Sequence, residues 1–491
     1  MRLGRTQPLT TGPGSLKNRR VTLACFGWFF VGVLSLGASD PALARETTLR
    51  EALAHTYETN PHLASQRAML RAQDEQVPQA KENWFRPTLN ATGGAEWEND
   101  KSGQVYDAAA VQGNAVAYEV SSLTPDVDLT LEFPIFRSGQ TLYTIKVAEA
   151  SIDVGQWDLV ATEQGVLAQA ADAYGHVVLY RALVTISERE VKAYEPLLKM
   201  SRDMYQSRTA TITDMAQVEL ELAQSRATLA SNRGMLETVE AAYEAIVGKL
   251  PGDLAPLPRL APGVSSLEAA EERAMQLDPL IRSAKSSLQK SQHLVTERKT
   301  SLLPTIDLSA SYQQSWDHYR VLTPPTIPDQ GTQNSRVGSV GLMVTVPIYS
   351  GGIRYSYIRE SIQEESAARL GLRNTELVQL STLRGLWQQR FAYEAALKNY
   401  DSAMGAAQTA VKGKIREYKN GTTSMQEVLL VQENLYGVLE DRASATYNLF
   451  FTEVSLLKSL GVLTAAGFEL RVPRYDPEKN RKEVEDQWIG W

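Results

Sequence analysis

The residues best able to do chemistry are thinly spread along this chain. Its 491 residues include five histidines, His55, His62, His176, His293 and His318, and one cysteine, Cys25. No two histidines have the His-Glu-x-x-His spacing that sets two imidazoles on one helix face over a metal, and there is no cysteine pair to supply thiolates. Gly248-Lys249 lacks the earlier glycine of a phosphate-cradling loop. Ser350-Gly351-Gly352 follows an apolar run but does not continue into a dinucleotide fingerprint. The expectation is a protein that is not an enzyme, with no catalytic residue, cofactor or metal. What remains is the chemistry of charge and solvent, and that depends on the elements that carry it.

The N-terminus points to a compartment. Arg2, Arg5, Lys17, Arg19 and Arg20 precede an apolar run from Val21 to Gly37 and a small-residue segment, Ala42-Leu43-Ala44. This is the layout of a secretory signal peptide over residues 1–44. The run is short for a membrane span and is interrupted by Gly and Ser, which disfavours a retained anchor. Cys25 lies inside the run, so no disulfide is expected in the exported chain. Export would leave 45 basic against 56 acidic residues, a net charge of −11, which argues against a nucleic-acid partner.

The rest of the sequence reads as one unit written twice. Leu49 and Leu267 each open an apolar-acidic helix start, Asn60-Pro61 and Asp278-Pro279 follow, and Phe133-Pro134-Ile135-Phe136 matches Val346-Pro347-Ile348-Tyr349. Leu49 and Leu267, Pro87 and Pro304, Pro134 and Pro347, and Tyr205 and Tyr418 lie 218, 217, 213 and 213 residues apart. A tandem duplication is expected, with repeats over 45–262 and 263–465 and a polar tail over 466–491. Each repeat reads as a helix, a β-hairpin, a very long helix and a shorter helix. Residues 140–206 and 353–419 are rich in Ala, Leu, Gln, Glu and Lys, so each long helix would reach about 100 Å. Ala148, Ala150, Ala161, Ala168, Ala170, Ala171 and Ala173 would let neighbouring helices approach closely.

The strands decide the solvent. Apolar Val127, Leu129, Leu131 and Phe133 alternate with Asp128, Thr130 and Glu132. Leu89 to Trp97, Ile306 to Tyr312 and Val340 to Val346 alternate likewise, with Met343 out of place on a polar face. About ten residues per segment suits a tilted strand crossing a bilayer, and Trp84, Phe85, Trp97, Phe133, Tyr312, Trp316 and Tyr349 would form aromatic girdles. Four strands cannot enclose a pore, so three chains closing a twelve-stranded barrel are expected. Pro87, Pro134, Pro304 and Pro347 stand at the expected strand–helix junctions, where a missing N–H does least harm and the fixed φ would redirect the chain from barrel to helices. The loops from Asp100 to Ser122 and from Asp317 to Arg336 join the strands.

These features together resemble the TolC-like outer-membrane exit ducts, the outer membrane factors, over about Leu49 to Gly461. The carriers are the duplicated openings, the two strand-end proline motifs, and Tyr418-Lys419-Asn420-Gly421-Thr422-Thr423 leading into Glu427-Val428-Leu429. The resemblance implies an α+β membrane protein: a homotrimer in outer-membrane lipid whose barrel continues as a helical tunnel into the periplasm. It implies a periplasmic adaptor and an inner-membrane pump of the ABC or RND type as partners, and passive conduction of small molecules or secreted polypeptides. It also implies a gate at the helix tip formed by Thr213, Asp214, Tyr418, Gly421 and Glu427, with an Asp214 to Tyr418 hydrogen bond. Thr423 and Leu430 depart from the family pattern, replacing a basic latch and a second pore-facing acid. Read on their own, Asp214 fits equally well as an N-terminal helix cap and Glu427 as a first-turn acid, and three copies of Glu427 around an entrance would favour cations. The alternative from another class is a periplasmic coiled-coil scaffold or adaptor with no pore.

Overall fold

The computed structural model describes residues 46–102, 118–323 and 331–488; the expected signal peptide and the outermost parts of both hairpin loops lie outside them. The first repeat begins with α1 (Leu49–Thr59), α2 (Pro61–Asp74), α3 (Gln76–Ala80) and a 3-10 turn (Lys81–Asn83). It continues through β1 (Thr88–Ser102), β2 (Tyr118–Phe136), α4 (Gln140–Gln206) and α5 (Ile212–Val247). The second runs α6 (Leu267–Leu277), α7 (Pro279–Thr300), β3 (Thr305–Thr323), β4 (Gly331–Thr345), α8 (Ile353–Lys419) and α9 (Met425–Ser459), followed by α10 (Pro477–Val484). Both α4 and α8 have 67 residues, about 100 Å of helix. Among the described residues no helix is both long and apolar enough to cross a membrane.

The two repeats agree down to hydrogen bonds. Asn60 Oδ1 accepts from the amides of His62 and Leu63 at 2.9 and 3.3 Å, and Asp278 Oδ1 accepts from those of Leu280 and Ile281 at 2.8 and 3.3 Å. In each case proline follows at the first helical position, where its missing N–H leaves no bond unmade.

The four strands form one antiparallel sheet in the order β1-β2-β3-β4, leaving β1 and β4 as its edges. Register places Leu89 against Leu131, Leu131 against Ala310, and Ala310 against Val340, so the apolar rows align across the sheet. The opposite face carries rows such as Asn90, Thr130, Ser311 and Ser339, with the two serine hydroxyls 2.8 Å apart. Met343 lies in a polar row, opposite Asp307.

Two expectations need correction. The strands have 15, 19, 19 and 15 residues rather than about ten, because pairing continues past the apolar band into polar sequence where alternation gives no signal. Pro87 and Pro304 immediately precede strands and Pro347 follows one, but Pro134 lies inside β2, at a register shift against β3. Nor do the prolines make the turn into the long helices. Ser138 and Gly139 (φ 49° and 82°), and Gly351 and Gly352 (φ 65° and 81°), form two consecutive left-handed residues directly before α4 and α8. Only a residue tolerant of positive φ can reverse the chain there, which is why glycine holds three of the four places.

The main core surrounds the middle of α4, where Leu53, Leu63, Ile152, Leu167, Tyr174, Tyr243 and Phe450 are buried together. Ala148, Ala170, Ala171 and Ala173 are buried on α4, so neighbouring helices close onto a small-residue face. Tyr174 donates to the carbonyl of Ala255 at 2.6 Å.

The α4–α5 hairpin also carries a charge ladder. Arg181–Glu240 and Glu188–Arg233 pair at 2.7 Å, and Glu195–Arg226 and Arg202–Glu219 at 3.3 Å. Successive rungs are seven residues apart on each helix, the spacing of flanking positions in a coiled coil. Each pair is partly exposed and screened by solvent, so the ladder sets register more than it adds stability.

Candidate functional site

The sequence-predicted gate residues gather at the ends of the two long hairpins. At the first tip α4 ends at Gln206, and the amide and hydroxyl of Thr209 both donate to the carbonyl of Met204, at 2.9 and 3.0 Å. At the second, the amide and hydroxyl of Thr422 both donate to the carbonyl of Glu417 at 3.0 Å. Between them in each turn lies a left-handed residue, Gly421 (φ 73°) in one and Arg208 (φ 61°) in the other.

Asp214 is the third residue of α5 and closes a capping box. Its amide donates to Thr211 Oγ1 at 3.2 Å, while its carboxylate accepts from the Thr211 amide at 2.9 Å and hydroxyl at 2.8 Å. Thr213 is exposed beside it. Tyr418 is buried against Val218, Leu222, Met425 and Val428, which joins both hairpins in one apolar cluster. The expected hydrogen bond from Tyr418 to Asp214 is absent within the chain. Asp214 is committed to its cap, and the Tyr418 hydroxyl is buried without a partner, as is that of Ser201. Burial raises the Tyr418 phenol pKa, and the nearby Asp214 carboxylate raises it further; the neighbouring Ser201 hydroxyl offsets part of this, although the two are not in hydrogen-bonding geometry.

Glu427 lies in the first turn of α9 and is paired. Its Oε2 accepts from Lys414 Nζ at 2.7 Å and Thr423 Oγ1 at 2.8 Å, and its amide donates to the cap residue Ser424. The Lys414 hydrogen bond, with that from Thr423, lowers the Glu427 pKa. Lys414 also meets Glu417 at 2.9 Å, so this corner carries two acids and one base. Lys414 went unnoticed in the sequence, yet it stands as far before the Asn420-Gly421 turn as Glu427 stands after it. Antiparallel helices bring such residues face to face.

A second group was also missed. Glu190 of α4 lies near Glu221 of α5 and Glu433 and Glu440 of α9, and none of the four has an ion-pair partner among the described residues. Burial, then the charges of Glu440, Glu221 and Glu433, push the Glu190 carboxyl up to about 7. The buried hydroxyl of Tyr194 beside them is unpaired. Sixteen residues of helix separate Glu190 from the end of α4, about 24 Å. Among the described residues no three His, Cys, Asp or Glu side chains are grouped to hold a metal ion. Closer to the tip, a groove of about 760 Å³ between the ends of α4 and α8 is lined by Pro196, Leu197, Met200, Met204, Val411 and Ile415.

This geometry can be set beside known proteins. The outer membrane efflux protein family pattern matches residues 52–249 and 271–462. The chain belongs to the outer membrane efflux protein family. It is similar to the outer membrane efflux protein BepC of Brucella suis, with 29% identity over 447 residues, covering 91% of this chain and 92% of BepC. It is also similar to the alkaline protease secretion protein AprF of Pseudomonas aeruginosa, with 21% identity over 353 residues and 70% of each chain covered. The fold is that of the CmeC outer membrane channel of Campylobacter jejuni, with a TM-score of 0.67, 15% identity and 89% of each chain covered. The protein is thus an outer-membrane protein with a TolC-like fold, in which a four-stranded sheet continues into long helices.

Proposed function

We propose that three copies of this chain form a passive exit duct, conducting cargo from a periplasmic adaptor and an inner-membrane pump to the cell exterior. The observation that carries this reading is the sheet. Its apolar rows suit lipid, and its edges β1 and β4 need partners, because an unpaired ladder is not tolerated in hydrocarbon. Four strands closed on themselves leave no lumen, eight make a filled barrel, and twelve leave a water-filled one. The scaffold reading offers no reason for an apolar sheet face.

Cysteines introduced along β1 and β4 test the assembly, since the one native cysteine, Cys25, lies in the expected signal peptide. Oxidation in the membrane is expected to give a cross-linked ladder that stops at three chains. A ladder that stops at two, or one that continues beyond three, contradicts the reading.

The relatives' names include both efflux and protease secretion, and the duct reading accommodates either, with cargo chosen by the pump. We place the gate at the helix tip, with Thr213, Asp214, Tyr418, Gly421 and Glu427 contributing, and add Lys414 as the partner that holds Glu427. Supporting this are the unpaired Tyr418 hydroxyl and the capping box of Asp214, both at turns where small changes move a helix end. Replacing Asp214 and Glu427 together by Ala is expected to raise conductance through the closed tip. Unchanged conductance in that double variant would remove both from the gate.

A further inference from the structure

The C-terminal segment, expected to be a polar tail whose Trp488 and Trp491 could dock, follows a directed path; Trp491 lies outside the described residues. Beyond α9 the amide of Ala465 donates to Glu163 Oε1 at 2.7 Å, Glu478 accepts from Gln156 at 2.6 Å, and Arg481 approaches Asp153 at 3.8 Å. The α4 partners therefore step toward the N-terminus of α4 and the strands. On the other side the partners step forward: Asn480 donates to Asp74 at 2.7 Å, and Lys81 holds the carbonyl of Glu485 at 3.0 Å and Asp486 at 2.9 Å. At the end Trp488 lies against the guanidinium of Arg86, 5.1 Å from its ring centre and one residue before the Pro87 that precedes β1.

We propose that this strap delivers Trp488 to the lipid interface at the helix-side rim of the barrel, where its ring sits among the headgroups and upper acyl chains of the phospholipid leaflet. The inference rests on the membrane reading of the sheet. Its neighbours identify that side. Phe85 packs 6.4 Å from Phe133, which continues the apolar row of Leu129 and Leu131, and Trp84 meets Phe85 edge-on at 6.1 Å. Trp84 and Phe85 are 46 and 55% exposed and lead through Phe133 into the lipid-facing rows, and Trp488, 64% exposed, lies against Arg86, the next residue along the chain. Indole rings with a polar N–H and an apolar body concentrate at membrane interfaces, and a nearby arginine can meet headgroup phosphate. Lys81 pairs with both Glu485 and Asp486 and offsets one of the two acidic charges shortly before Trp488.

The test uses the full-length protein in vesicles of phosphatidylethanolamine and phosphatidylglycerol brominated near the top of the acyl chains. Subtracting the emission of Trp488→Phe from that of the unsubstituted protein isolates Trp488, and Trp97→Phe does the same for a strand residue as control. Trp488 emission is expected to be blue-shifted and quenched mostly by bromolipid, with little effect of acrylamide. Quenching by acrylamide alone would place Trp488 in water, and quenching by neither would place it against protein, such as a neighbouring copy; either overturns the proposal. If Trp97 also escapes bromolipid, the barrel reading fails with it, whereas a quenched Trp97 confines the failure to the strap.

Discussion

At the scale of single residues, the duplication works as an internal control. Gly421 and Arg208 occupy equivalent turn positions at positive φ, a conformation that costs a side-chain-bearing residue about 1 kcal/mol. Arg208→Gly is therefore expected to stabilise the first tip by up to about 1 kcal/mol and Gly421→Ala to destabilise the second by a similar amount, read as opposite shifts in thermal unfolding. Glu190 gives a pH prediction. Its carboxyl is raised to about 7 in the fold from an ordinary 4.5, so the native state holds a proton that the unfolded chain releases. The stabilisation is fully present below about pH 4.5 and is lost as pH rises through about 7. Helical stability should fall over that window, and Glu190→Gln should flatten the fall; an unchanged pH profile would show that Glu190 does not govern it. The acid at position 190 was invisible in the sequence because nothing local distinguishes it from the surface glutamates around it. Its neighbours come from α5 and α9, more than thirty residues away.

At the scale of elements, the sequence was most legible where a period persists. The long helices appeared as unbroken helix-forming stretches of the right extent, and the strands as period-2 alternation, although their polar outer parts carried no such signal. The turn into each long helix was misassigned to proline, when the left-handed pairs Ser138-Gly139 and Gly351-Gly352 perform it. The heptad ladder was readable and was missed: Arg181, Glu188, Glu195 and Arg202 mirror Glu240, Arg233, Arg226 and Glu219 about the Thr209–Thr211 turn. It makes a direct prediction. Arg202→Glu should weaken the α4–α5 hairpin by up to about 1 kcal/mol, and adding Glu219→Arg should recover most of it, because reversing both charges restores attraction in the same register. A double-mutant cycle on protease resistance of the tip measures this; two independent, additive losses would remove the ladder's role in register.

At the scale of the whole molecule, the faces left open within one chain indicate how it assembles. α4 is packed by α5, α7 and α9 and buries many residues, whereas α8 buries only Ser361, Leu383, Trp387, Val411 and Tyr418. Leu370, Leu377 and Ile353 of α8 are 68, 54 and 51% exposed, and Ile348 and Tyr349 beside its start are 91 and 81% exposed. Such residues call for a neighbour, as does the unpaired edge of β4, as expected if sheet and helices close around one axis. The measurement that tests the central claim most directly is single-channel current from the purified, signal-free protein in a planar bilayer, with neither pump nor nucleotide present. The account predicts discrete steps of small conductance that grow when the tip residues Asp214 and Glu427 are replaced by alanine. Well-folded, membrane-inserted protein that carries no current in either form would contradict it.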